Sequence, residues 1–171
     1  MHRMHKQKGA VLVVSIMILL ILTFIAVSTL QTSPIEEKIA GNYRDYNVSL
    51  QAADTTEREA ENYIDSLVDI SGFTNSNGLY TTGNAPDPLA SVTWSGTATV
   101  SATTNLPGIV TPRYFIELIG TYDSGTVSLN IYNYGQDPNT GPVTVFRIVA
   151  RATGATGTAE TIVQSFYGRR F

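Results

Sequence analysis

Cysteine is absent from all 171 residues, so neither a disulfide framework nor a thiolate zinc site is open to this chain. Histidine is almost absent: His2 and His5 both stand in the first few positions. If those positions are removed, no imidazole remains. That excludes Ser-His-Asp and Cys-His nucleophiles and any histidine-ligated metal. No spacing of acids marks a catalytic carboxylate pair. Charge is scarce, at 15% of residues, and unevenly spread: there is none from Ala10 to Leu30, whereas Glu36 to Asp69 is rich in it. The formal net charge is −3, and removing the three leader cations Arg3, Lys6 and Lys8 takes it to −6. So acidic a body argues against broad electrostatic binding to nucleic acid. The length leaves room for one domain beside the apolar segment.

What is present begins with that segment, AVLVVSIMILLILTFIAVSTL, from Ala10 to Leu30. As a helix it spans roughly 32 Å, close to the thickness of a bilayer's hydrocarbon core. Ser15, Thr23, Ser28 and Thr29 can return their hydroxyls to the preceding turn and leave the span apolar. The preceding MHRMHKQKG holds Arg3, Lys6 and Lys8 and no acid. The positive-inside rule keeps this end in the cytoplasm and exports everything after Leu30. The run is too long for an ordinary secretory signal, with its apolar region of about 7–15 residues. An uncleaved signal anchor is one remaining reading. The other is a short basic leader cut between Gly9 and Ala10, leaving the apolar helix on the mature chain. This second arrangement resembles the prepilin signal, in which a membrane aspartic peptidase cuts after glycine and the new N-terminus is methylated.

Beyond the span, Ser33 followed by Glu36 has the spacing of a capping box, and Pro34 falls at the first helical position. A kink or restart is therefore expected at Ser33, with the helix continuing to about Ser71. Ile35, Ile39, Tyr43, Tyr46, Leu50, Ala53, Ala60, Ile64 and Leu67 recur at spacings of three, four or seven, and the expectation is that this stripe packs on a core. Gly41 costs about 1 kcal/mol against Ala inside a helix, so it marks a close helix approach or a local loosening.

The stretch EEKIAGNYRDYNVSLQAADTTEREAE, Glu36 to Glu61, resembles the N-terminal signature of PilX-type minor pilins. The matching residues are Glu36, Glu37, Ala40, Gly41, Asn42, Arg44, Asp45, Gln51, Ala52 and Ala53, and the resemblance covers about Gln7 to Glu61. It implies an α+β type IV pilin fold, a long helix packed on an antiparallel sheet. It also implies cleavage and N-methylation at Gly9 and Ala10, and no cofactor. Most pilins carry a glutamate at the fifth position after the cut, thought to neutralise the terminal ammonium of a neighbouring subunit. Here that position is Val14, as in this family. A chain lacking the carboxylate either sits at the filament tip or starts assembly, with no subunit above it, or is not a filament component, and the first of these is the reading favoured.

From Ser71 to Pro88 the composition is that of a loop, SGFTNSNGLYTTGNAPDP. Strands are expected at Ser91–Val100, Arg113–Tyr122, Thr126–Tyr134, Val143–Thr153 and Thr158–Tyr167. In the fourth, Phe146, Ile148 and Ala150 alternate with Arg147, Val149 and Arg151. Asp123-Ser124-Gly125 and Gly154-Ala155-Thr156-Gly157 are hairpin signals. The organisation expected is a leader at 1–9, a membrane and filament-core helix at 10–31, an amphipathic helix at 33–70, a loop at 71–90 and an antiparallel sheet at 91–171, one face on the helix. Asp137 to Gly141 and Asp123 to Gly125 offer oxygen ligands but too few for a calcium loop, and read as turns. Trp94, Tyr122, Tyr132 and Tyr134 read as core or cross-strand aromatics before a sticky surface. The tail Gly168 to Phe171 reads as a solvated end.

The function these readings imply is structural: a minor pilin that primes assembly of a type IV pilus and sits at or near its tip. The implied partners are other minor pilins, the major pilin, a large tip adhesin, the prepilin peptidase and the inner membrane, with the body in the periplasm and then in the extracellular fimbrium serving adhesion and motility. A K-like minor pseudopilin of type II secretion is the alternative, although the added helical domain of those proteins has no room here. A membrane-tethered periplasmic enzyme or binding protein is the third reading, opposed by the missing histidine and cysteine.

Overall fold

The computed structural model describes residues 9–104, 107–122 and 142–171, apart from the side chains of 29–33. The chain forms two compact units, Met1–Tyr43 and Arg44–Phe171. Helix α1 runs from Ala10 to Ser66.

In the first unit, the apolar side chains from Val11 to Val27 are exposed, and Ala10–Ser28 is long and apolar enough to cross a membrane. Its hydroxyls are satisfied within the helix: Ser15, Thr23 and Ser28 donate to the carbonyls of Val11, Leu20 and Phe24 at 2.8, 2.9 and 2.9 Å. The restart expected at Ser33 does not occur. Pro34 lies inside α1 with helix on both sides, so Ser33 is an interior residue and not an N-cap. A proline removes one N–H, and a helix of 57 residues absorbs the loss of a single bond.

In the second unit, the later part of the expected stripe packs on the core as anticipated, with Ala53, Ala60 and Ile64 buried and Leu67 packed against them, but its earlier part does not. Tyr46 and Leu50 are exposed, as Ile35, Ile39 and Tyr43 are in the first unit. Against the sheet lie Asp45, Ser49, Ala52, Ala53, Thr56, Ala60 and Ile64, all buried. Spacings of three and four place these mostly small side chains on one face of the helix. Ile64, fully buried, is the largest anchor, contributing about 1.5–3 kcal/mol.

The helix stops at Ser66, short of Ser71. The Asp69 carboxylate accepts from the backbone N–H and hydroxyl of Ser71 at 2.9 and 2.5 Å, a local turn that competes with helical bonding.

The strands are β1 (Leu79–Tyr80), β2 (Val100–Ser101), β3 (Arg113–Tyr122), β4 (Val143–Thr153) and β5 (Glu160–Arg169). β3, β4 and β5 form an antiparallel meander with Ile116 opposite Ile148 and Ile148 opposite Ser165. β2 joins β3 antiparallel and β1 joins it parallel, so the sheet is mixed at one edge. The strand expected at Ser91–Val100 is instead a 3₁₀ turn, Ser91–Trp94. The Trp94 indole N–H donates to the Pro88 carbonyl (2.9 Å) and the Thr93 hydroxyl to that of Asp87 (2.7 Å), and these bonds replace ladder pairing. β1 lies where only loop was expected. Thr126–Tyr134, the hairpin signal at Asp123, and the ligand-like run from Asp137 lie outside the described residues.

Alternation in β3 and β4 splits the core in two. Tyr114, Ile116, Phe146, Ile148 and Ala150 pack with Ala60 and Ile64 of the helix. Phe115 and Val149, on the opposite face, pack with Tyr80 and Trp94. Tyr80 meets Phe115 edge-on at 5.9 Å, and Trp94 lies 5.8 Å from the same ring. The face away from the helix is thus covered in part by the segments carrying Tyr80 and Trp94. Beneath the outer loops, Arg147 pairs with the buried Glu117 at 2.5 Å, and the other Glu117 oxygen accepts from the Gly83 N–H at 2.7 Å. The tail is not simply solvated: Arg169 donates to the Ile64 carbonyl at the helix end, and Phe171 meets Phe146 edge-on at 6.2 Å.

Candidate functional site

At the end where cleavage is expected, between Gly9 and Ala10, the helix begins. Gly9 has φ 102°, a conformation L side chains rarely adopt, and Ala10 begins the helix. Arg3, Lys6 and Lys8 lie outside the described residues. Val14 is exposed on the first turns of the helix.

The signature residues divide into two groups. Glu36, Glu37, Gly41, Asn42, Arg44 and Gln51 are exposed. Among the described residues, beyond the helix turns around it, no atom lies within 4 Å of where a Gly41 side chain would begin, so no close approach there requires that glycine. Asp45, Ala52 and Ala53 are buried against the sheet. The Asp45 carboxylate, 6% exposed, accepts from the Thr156 N–H (3.0 Å), the Thr156 hydroxyl (2.6 Å) and the Ala159 N–H (3.2 Å), tying α1 to the β4–β5 turn.

Three further polar ties run along the same helix. Ser49 shares a 2.6 Å hydrogen bond with Thr161. Glu59 accepts from the N–H and hydroxyl of both Thr103 and Thr104 at 2.7–3.1 Å. Tyr167 donates to Asp65 at 2.9 Å. The Thr156 hydroxyl, with its backbone N–H and that of Ala159, holds the Asp45 carboxyl below its usual pKa. For Glu59, burial pushes upward, but the four bonds from Thr103 and Thr104 prevail and lower it. Burial pushes the Tyr114 phenol up to about 12, with the negative charges of Glu59 and Tyr63 adding to it.

These ties were not legible in the sequence, because partners such as Asp45 and Thr156 stand 111 positions apart. The Gly154–Gly157 turn signal and the signature residue Asp45 marked two ends of one tie without pairing them. Among the described residues, no cluster of three His, Cys, Asp or Glu side chains is placed to hold a metal.

A helix able to cross a membrane, together with a long helix packed on a largely antiparallel sheet, defines the class: an α+β filament subunit of the type IV pilin fold. Within that class, the chain belongs to the PilX family of type IV pilus minor pilins. Residues 8–56 match the family described as PilX N-terminal, and residues 53–169 match the family described as Type IV pilus assembly protein PilX C-term. The kinship therefore extends over the sheet, beyond the signature that ends near Glu61. No curated relative and no solved structure matches the chain. The PilX family is a structural one, which suits an apolar anchor helix and a role among other pilus components.

Proposed function

We propose that this minor pilin primes assembly of a type IV pilus and sits at or near its tip. The observation that carries this reading is Val14, an apolar residue on the first turns of the helix, with the apolar and exposed Val11, Val13, Met17 and Ile18 around it. A carboxylate inside the span costs up to about 2.5–3.5 kcal/mol on insertion scales, the value at its centre, so it is retained only where a partner ammonium exists. A subunit with Val14 cannot neutralise the terminus of a subunit above it, and a first subunit has none above it. In this reading the leader is removed between Gly9 and Ala10 and the new terminus is methylated. The helix stays in the inner membrane, with the body in the periplasm, until lateral packing with other pilin helices draws it into the filament.

The polar ties hold the sheet on α1, so the body travels with its helix as that helix leaves the membrane. The exposed signature residues Glu36, Glu37, Asn42 and Arg44 support contact with other minor pilins, the major pilin and a tip adhesin. Immunogold labelling of purified pili tests the assignment. Label confined to fibre ends, with pili lost on deletion and restored on complementation, is the expected result. Abundant label along the shaft would overturn the tip position.

A further inference from the structure

On the sheet's outer face Arg113 of β3 stands directly opposite Arg151 of β4. Like charges in that register repel and are destabilising unless compensated. The compensation is incomplete. Arg151 donates from Nε and Nη2 to the two Glu160 oxygens, both at 2.7 Å. Arg113 instead meets neutral oxygens: the hydroxyls of Thr99 and Ser101 and the carbonyls of Gly96 and Thr99, at 2.6–2.8 Å. Those four bonds fix its guanidinium without cancelling its charge, leaving two cations against one carboxylate.

Both arginines line a cleft of about 140 Å³, whose other walls include Trp94, Val110 and Pro112. The Arg151 guanidinium lies 5.7 Å from the centroid of the Trp94 ring. Among the described residues nothing accepts from its Nη1, which keeps both its protons for a further acceptor. Apolar walls strengthen the field of the surplus charge inside the cleft. The volume falls below that of pockets for drug-sized ligands, roughly 300 Å³ and more. A small monoanionic group fits the space and the charge.

We propose that this cleft binds a carboxylate, with Arg151 Nη1 as principal donor, Arg113 supplying the second positive charge and Trp94 the apolar shelf. Two sources carry that group: a free small organic acid, or a glutamate side chain of a partner protein. The site lies on the second unit and does not depend on the tip assignment.

Trp94 is the single tryptophan of the chain, so its fluorescence reports the cleft directly. The full chain in a non-ionic detergent is titrated with propionate, with propionamide as the uncharged match, and with a capped peptide containing one glutamate. Propionate should give a saturable change, with a dissociation constant on the order of 1 mM, and propionamide should give none. Arg151→Gln should weaken binding about tenfold or more. Glu160→Gln, which removes the competing carboxylate, should tighten it about two- to fivefold. Opposite responses from the two variants separate loss of the site from loss of the fold. Tighter binding of the peptide than of propionate identifies a partner's side chain as the source, and binding of propionate alone identifies a free acid. The proposal is overturned if no carboxylate saturates, if propionamide matches propionate, or if Glu160→Gln fails to tighten binding.

Discussion

The Asp45 carboxylate occupies the space a side chain on residue 154 would need: a Cβ built on Gly154 would lie 2.5–2.6 Å from the Asp45 carboxyl atoms. The helix and the β4–β5 turn are thus fitted to each other at one residue each. Gly154→Ala should force the carboxylate out of its hydrogen bonds and lower the Tm by several degrees. Adding Asp45→Ala should make the glycine substitution much less harmful, since the obstructing group is gone. Thermal unfolding of the two single variants and the double variant, read as a double-mutant cycle, checks the coupling. Additive losses would show that the fit is not energetic.

The pH dependence of stability follows from the same ties. Asp45, Glu59 and Asp69 are all held below their ordinary values, 3.8, 4.5 and 3.8. Their contributions are present above those values and are lost as pH falls through the lower folded ones. The Tm should therefore be steady near neutrality and drop below about pH 5. Asp45→Asn should flatten that drop while lowering the Tm at neutral pH. Tyr114, raised to about 12, has the opposite sign: its stabilisation is complete below pH 10.0 and disappears as pH rises toward the folded value. Thermal scans across the pH range test both limbs.

The buried helix face predicts an inverted pattern of sensitivity. Ala53, fully buried, has no room for a larger side chain, so Ala53→Leu should cost about 1–3 kcal/mol by overpacking. Ile64→Ala should cost about 2–5 kcal/mol through the cavity left at the largest helix anchor. Tyr46→Ala, at an exposed site, should change stability by only about 0.5 kcal/mol. Denaturant unfolding followed by Trp94 fluorescence ranks the three.

Processing can be read directly. Mass spectrometry of the protein extracted from membranes should find Ala10 as an N-methylated first residue, motivated by the basic leader and by the φ of Gly9. Gly9→Val should leave the leader attached. An intact Met1 terminus in cells with an active prepilin peptidase would end the idea.

Val14→Glu tests the position in the filament. At a tip the new carboxylate meets no ammonium and stays unpaired, costing up to about 2.5–3.5 kcal/mol on insertion scales. Piliation should fall or stay unchanged, and label should not spread along the fibre. Spreading of the variant along the shaft would mean that the absence of glutamate, and not a tip contact, had set the position.

What the sequence determined by itself was whatever depends on local order. The span from Ala10 follows from an unbroken apolar run, and the opposite faces of β4 follow from alternation of Phe146, Ile148 and Ala150 with Arg147, Val149 and Arg151. The family signature, too, was legible as a string. Only the tertiary structure decided which helix face is buried. The apolar spacing put Tyr46 and Leu50 on one stripe with Ala53, Ala60 and Ile64, but only the last three are buried, and Asp45, Ser49 and Ala52 take the place of Tyr46 and Leu50 on the buried face. It likewise decided the second core around Trp94 and Phe115, because a 3₁₀ turn held by side-chain bonds to Pro88 and Asp87 displaced a strand that local propensity favoured. The Asp45 tie and the Arg113–Arg151 pair were illegible for one reason. Each joins segments far apart in the chain, and no local pattern records which distant donors a carboxylate or a guanidinium will meet once the sheet has closed on the helix.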